Sequence, residues 1–172
     1  MATTKHTIVA LVADRPGVLN RMASLFRRRG FNIDSIAVGH SEIPHLSRMT
    51  IVAEGSNTQV EQIRKQVEKI IDVIRVQDIS AHDIVTRELA LIKVKASPEN
   101  RSEIMQIVDI FRAKIVDVSA GSVMVEATGD EEKVDSLYNL LKPFGIKEMT
   151  RTGRIAMTRG DQSVRREESG TE

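Results

Sequence analysis

The chain has 172 residues, 41% of them hydrophobic and 28% charged, a balance that suits folded domains rather than disorder. Its 25 Lys and Arg against 24 Asp and Glu leave a net charge of +1, with no bulk excess to grip a nucleic-acid backbone or an anionic membrane. Cysteine is absent, which excludes disulfides, thiol chemistry and Cys-ligated metals, and 3% aromatics are too few for an RNA-stacking platform.

Residues 8–12 are continuously apolar and rich in β-branched residues, and predict a central strand. The apolar run ends at Ala13, far short of the roughly 20 residues of a membrane helix or a usual signal sequence. No membrane association is expected, and a cytoplasmic location is. Asp14-Arg15-Pro16-Gly17 then predicts a helix start, with Asp14 as cap and Pro16 in the first turn. Val18, Leu19, Met22, Leu25 and Phe26 share one face of that helix. Arg27-Arg28-Arg29 complement its C-terminal dipole, and Gly30 closes it.

A second strand is predicted over residues 31–38, a turn over 40–45, and a third strand through Ser47, Met49, Ile51 and Ala53. Ser56-Asn57-Thr58-Gln59 has capping-box spacing. It opens a helix with Val60, Ile63, Val67, Ile70 and Ile71 inward, and residues 73–79 form a fourth strand.

The same order then recurs. A strand over 89–95 leads to a helix opened by Ser97-Pro98, with Ile104, Ile107, Val108 and Phe111 on one face. A hairpin over 115–127 turns at Ala120-Gly121. Asp130 caps a helix that carries Val134, Leu137 and Leu141 inward and ends at Pro143. Residues 146–150 form the closing strand, and 154–157 a short extra one. From 161 to 172 the chain is polar and expected to be a disordered tail.

The predicted fold is therefore α+β, two tandem ferredoxin-like βαββαβ units over residues 1–80 and 81–160. Units of this size bury a modest share of their surface, so a homodimer or a larger partner is expected.

The inventory for catalysis is thin. His6, His40, His45 and His82 show no metal-ligand spacing, and His40 and His45 read as solvated turn histidines. Asp130-Glu131-Glu132 complements a helix dipole. No phosphate loop, dinucleotide fingerprint or nucleophile elbow occurs, so no catalytic residue, metal site or cofactor is assigned to this chain.

One segment carries binding chemistry. The turn through Asp14, Pro16 and Gly17 joins a buried strand to a helix N-terminus. Free N–H groups of Gly17, Val18 and Leu19 suit a small carboxylate or phosphate, and the carboxylate of Asp14 suits an ammonium group. Donors and a carboxylate side by side fit a free amino acid. Spacing alone favours the plainer reading, in which Asp14 is only a helix cap and Gly17 only a turn residue.

Ala13-Asp14-Arg15-Pro16-Gly17-Val18-Leu19 and Arg29-Gly30-Phe31-Asn32-Ile33 resemble an ACT domain, a ferredoxin-like module that binds small ligands between subunits. Leu46-Ser47-Arg48-Met49-Thr50-Ile51, Arg87-Glu88-Leu89-Ala90-Leu91-Ile92-Lys93-Val94 and Thr152-Gly153-Arg154 extend the match. Together they resemble the small regulatory subunits of acetolactate synthase (acetohydroxyacid synthase), over residues 7–160.

That resemblance implies a catalytic large subunit as partner, carrying thiamine diphosphate, Mg²⁺ and FAD. It implies activation of that subunit and feedback inhibition by valine, with cross-response to leucine or isoleucine, in branched-chain amino acid biosynthesis. It implies a homodimer through the ACT domains. Asp14, Pro16, Gly17, Val18 and Leu19 would come from one chain, and Asn32 and Ile33 from the other, with Ile33 and Val18 in the wall of an apolar pocket. The family commonly carries Asn where Asp14 stands. The matching loop of the second unit, Ala96-Ser97-Pro98-Glu99-Asn100-Arg101, lacks the Gly, so no amino-acid site is expected there.

A free-standing tandem ACT sensor would share the fold and the loop but not the matches in the second unit. An acylphosphatase-like enzyme would use Arg15 and Asn32, but the loop lacks a Gly-rich phosphate cradle.

Overall fold

The computed structural model describes residues 4–161. The first unit runs β1 (Thr4–Ala13), α1 (Val18–Arg28), β2 (Ile33–His40), β3 (Leu46–Gly55), α2 (Asn57–Val67) and β4 (Val73–Asp78). Its strands are ordered β2-β3-β1-β4, and every neighbouring pair is antiparallel. The second unit repeats the pattern with β5 (Ile84–Lys95), α3 (Arg101–Ile110), β6 (Lys114–Val118), β7 (Ser122–Gly129), α4 (Glu131–Leu141), a 3₁₀ turn (Lys142–Phe144) and β8 (Ile146–Arg151), in sheet order β6-β7-β5-β8. These are two ferredoxin-like units in tandem, as the sequence predicts.

The unbroken apolar run of β1 follows from its position. Ile8, Ala10 and Val12 face the two helices, where they pack with Val18, Met22 and Phe26 of α1 and Val60, Ile63 and Val67 of α2. Val9, on the opposite face, packs with Ile79, Ala156 and Ile84. Both faces are dry, so no alternation is needed. Each such side chain contributes roughly 1.5–3 kcal/mol by leaving water. The strand also extends beyond the predicted residues 8–12. Buried His6 is held through Nδ1, 2.8 Å from Asp78 Oδ2, and the Thr7 N–H donates to Ser80 Oγ at 2.7 Å.

In the second unit Ile104 and Val108 of α3 and Val134, Leu137 and Leu141 of α4 pack on Ala90, Ile92 and Val94 of β5 and Val123, Val125 and Ala127 of β7.

Several caps match the sequence and several do not. Ser56 and Gln59 form the expected capping box on α2, and Asp130 accepts from the Lys133 N–H on α4. Asp14 does not cap α1. The helix starts at Val18, its cap is Gly17 at φ 89°, and no side chain caps it. Pro16 therefore lies before the helix, not in its first turn. α3 likewise starts at Arg101 rather than at Ser97-Pro98, because the Ser97 N–H donates to Asn100 Oδ1 at 2.7 Å and closes a turn first. Ile71 lies beyond the end of α2 and is 87% exposed, not on its inner face.

The division between units was expected at residues 80–83, and the compact units part between Val85 and Thr86. A last strand, β9 (Ile155–Thr158), belongs to the first unit, where Ala156 is buried and its carbonyl accepts from Arg48 at 3.1 Å. The predicted tail lies outside the described residues beyond Asp161.

Candidate functional site

The loop between β1 and α1 is held from its neighbours rather than by its own side chains. The Ala13 N–H donates to the Asp72 carbonyl at 2.7 Å, and the Asp14 N–H to the His45 carbonyl at 2.9 Å. Arg15 N–H closes a tight turn on the Ala13 carbonyl at 2.9 Å. Gly17 then takes the left-handed conformation that an L side chain rarely adopts, and it starts α1. A Cβ at Gly17 would meet nothing within 4 Å, so the space above it is open.

This arrangement leaves donors outward. The N–H groups of Val18, Leu19 and Asn20 open α1 and have no intrahelical acceptor, while the Gly17 carbonyl takes the Arg21 N–H at 3.0 Å. The carboxylate of Asp14 is about half exposed and unused as a cap, with His40 Nδ1 3.5 Å from Oδ2. A carboxylate and the positive end of a helix thus share one short loop, which suits a zwitterion. The Val18 side chain is buried in the core, so at the surface it offers its N–H and no wall to a pocket. Leu19, 48% exposed, is the apolar side chain available at the helix start.

Asn32 and Ile33 stand elsewhere in the same chain. Asn32 is exposed and lies just before β2, not within it. Ile33 packs partly against the core. Along β3, Leu46 faces Ala13 and Ala53 faces Ile33, a spacing of seven residues, or roughly 23 Å at about 3.3 Å per residue. The loop and the Asn32 end are therefore at opposite ends of one sheet, and β2 is an edge strand.

The second unit's loop is closed where the first is open. Its cap, Asn100, has φ −107° and its side chain is engaged by Ser97. Arg101 reaches across to the Ser119 and Ala120 carbonyls at 3.0 and 3.3 Å. The side-chain hydrogen bond to Ser97 holds the Glu99 carboxyl below its ordinary range.

Spacing could not show that His40, His45 and Asp72 frame the loop, since His40 ends β2 and His45 and Asp72 lie in the turns before β3 and β4. Among the described residues no group of three or more His, Cys, Asp or Glu is placed to hold a metal ion, and no helix is long and apolar enough to cross a membrane.

Comparisons with known proteins cover both units. Residues 8–75 match the family model of the AHAS small subunit-like ACT domain, and residues 87–160 that of the small subunit of acetolactate synthase. The chain is 54% identical over 158 residues to a probable acetolactate synthase small subunit of Archaeoglobus fulgidus, covering 92% of this chain and 99% of that one. It is 51% identical over 160 residues to the acetolactate synthase small subunit of Bacillus subtilis, covering 92% of each. The crystal structure of the acetolactate synthase small subunit from Thermotoga maritima superposes with a TM-score of 0.85 at 44% identity, over 92% of this chain and 99% of that one. The chain belongs to the family of acetolactate synthase small, regulatory subunits, with an ACT domain as its first unit.

Proposed function

We propose that this chain binds and activates the catalytic large subunit of acetolactate synthase in the cytoplasm and makes it sensitive to valine. The thiamine diphosphate, Mg²⁺ and FAD of the reaction belong to that large subunit, and this chain supplies regulation. The observation that carries the effector site is the conformation of Gly17, which starts α1 with no side-chain cap and with open space at its own Cα, beside an Asp14 carboxylate that caps nothing.

Two chains pair through their β2 edges. Antiparallel pairing of β2 with its copy brings the partner's Asn32 and Ile33 toward the His40 end of the first chain, where the Asp14 loop lies. The 23 Å gap within one chain, roughly estimated from strand rise, is then closed between chains. Valine places its ammonium at Asp14, its carboxylate at the N–H groups of Val18 and Leu19, and its side chain between Leu19 and the partner's Ile33. An effector held between chains acts by favouring one quaternary arrangement, with coupling of about 1–3 kcal/mol. A methylene changes affinity in such a pocket by only about 1–3 kcal/mol, so leucine and isoleucine also bind.

Reconstitution with a purified large subunit from the same genome tests this. Acetolactate formation should rise on mixing and fall again with valine. Activation without a valine response would keep the partner and remove the site. No activation and no co-elution would favour a free-standing amino-acid sensor.

A further inference from the structure

His40 is the last residue of β2, and strand register sets it beside the effector loop. It lies opposite Ser47 of β3. On the other side of β3, Val12 lies opposite Ser47 and Ala13 opposite Leu46. The end of β2 and the start of the β1–α1 loop therefore flank β3 at the same level. The turn that follows His40 is pinned. The Ser41 N–H donates to the Leu46 carbonyl at 2.9 Å, and the Ile43 N–H to Ser41 Oγ at 3.1 Å. The Asp14 N–H joins the same turn through the His45 carbonyl at 2.9 Å. This framework leaves His40 Nδ1 3.5 Å from Asp14 Oδ2, and among the described residues no other side chain pairs with that carboxylate.

The remaining charged groups of the neighbourhood are accounted for. Arg21 of α1 pairs with Asp72, whose carbonyl holds Ala13. Arg48 of β3, beside Ser47, donates to the Ala156 carbonyl, and the charge of Glu42 acts on it. Arg15 follows Asp14 in the loop and is exposed, as is the His45 side chain. Histidine is the residue type whose charge changes between about pH 5 and 8, which leaves His40 and His45 as the groups to separate.

We infer that His40 makes effector binding proton-linked: its protonated ring holds the Asp14 carboxylate in the empty site, and the ammonium group of a free amino acid takes that place with release of the proton to solvent. The inference rests on the proposed effector site. Two cations compete for one carboxylate, so affinity falls as the ring becomes protonated. The charges of free valine itself do not change over this range. Both partners reach solvent, so the linkage has the small size of an exposed ion pair.

The test is calorimetry of valine binding to the full chain at about pH 8 and about pH 5.5, each in two buffers of different ionisation enthalpy. Wild type should bind about threefold more weakly at the lower pH, and should release more protons there. His40→Gln should bind equally at both pH values and release none. His40→Lys, which keeps a cation in place throughout, should bind at both as weakly as wild type does at the lower. His45→Asn should retain the pH dependence; His45 has φ 65°, a backbone that Asn accepts.

Wild-type affinity that is equal at the two pH values, or higher at the lower one, would overturn the role of His40 and leave the effector site standing. A pH dependence that survives His40→Gln, or that disappears only in His45→Asn, would overturn it as well. Absence of valine binding to wild type at either pH would overturn the effector site and the role of His40 together. If His40→Gln melts below wild type, His40→Lys decides: affinity that still changes with pH in that variant would overturn the inference.

Discussion

The Asp14 carboxylate stands 3.5 Å from the imidazole of His40, which joins the β1–α1 loop to the end of β2. His40 is largely and Asp14 about half exposed, so the pair adds little stability. The pair lies beside the helix start, where the carboxylate caps nothing. Asp14→Ala should raise the valine concentration for half inhibition about tenfold, the scale of one charge-assisted hydrogen bond. Asp14→Asn keeps an acceptor for the ammonium and removes repulsion of the effector carboxylate, so its response should stay within about threefold of wild type. Valine titration of the reconstituted enzyme checks both. An unchanged response in Asp14→Ala would remove Asp14 from the site.

Gly17 has φ 89° with open space around it, so substitutions there meet backbone strain but no clash. Gly17→Ala should lower stability by roughly 1–2 kcal/mol, the left-handed penalty for an L residue. Gly17→Asp adds a carboxylate where the effector carboxylate would sit. It should abolish valine inhibition while activation of the large subunit is retained. A melt of each variant and a valine titration separate strain from lost binding, and retained inhibition in Gly17→Asp would place the effector elsewhere.

Two other glycines make a contrast. A Cβ at buried Gly55 would lie 2.7 Å from the ring of Phe31, which is set edge-on to Phe26 at 6.4 Å. A Cβ at Gly129 would lie 2.5 Å from Lys133 Cδ, on a flexible side chain that can turn aside at the cost of its Nζ hydrogen bond to the Thr128 carbonyl. Gly55→Ala should therefore cost about 1–3 kcal/mol through overpacking. Gly129→Ala should cost much less. Because Phe31 precedes Asn32, Gly55→Ala should also weaken the valine response. Chemical denaturation of both variants is the check.

How much of this was readable beforehand depends on the kind of signal. The strand and helix order follows from hydrophobic period, which needs no partner to be seen. The capping box at Ser56 and Gln59 is local chemistry at fixed spacing and was equally legible. Asp14 misled because its residue type favours a cap, while the backbone at Gly17 set the helix start three residues later. Ile71 misled because its spacing continues the inner face of α2 beyond Val67, where the helix already ends. The roles of His40, His45 and Asp72 depend on strand register and loop return, which one sequence does not display. The same holds for β9, whose Ala156 joins Val9 and Ile79 from far along the chain.

Glu88 is buried, and Arg151 covers it while also donating to Asp135 at 2.7 Å. Removing one partner of such a pair strands the other charge. Arg151→Leu should destabilise the second unit by about 3–5 kcal/mol. The double variant Glu88→Leu with Arg151→Leu should recover most of that loss, because two apolar groups need no partner. Equal instability of the single and double variants would mean that the arginine stem, not its charge, supports the strand.

On α2, the guanidinium of Arg64 donates two bonds of 2.8 Å to Glu61. This pairing, with the nearby charges of Arg64 and Lys65, lowers the Glu61 carboxyl from its ordinary 4.5 to about 2. A carboxyl depressed on folding stabilises the fold above its unfolded value. That contribution declines as pH falls from 4.5 and is lost on passing through about 2. The Glu61 side chain is about half exposed, so solvent and salt screen the pair and the change in global stability should be small. The sharper readout is the carboxyl itself. Titrated by carbon NMR, Glu61 should show a midpoint near 2, and in Arg64→Ala the midpoint should return toward 4.5. High salt should move it the same way in the wild type. A wild-type midpoint already at 4.5 would mean that the Glu61–Arg64 contact does not persist in solution.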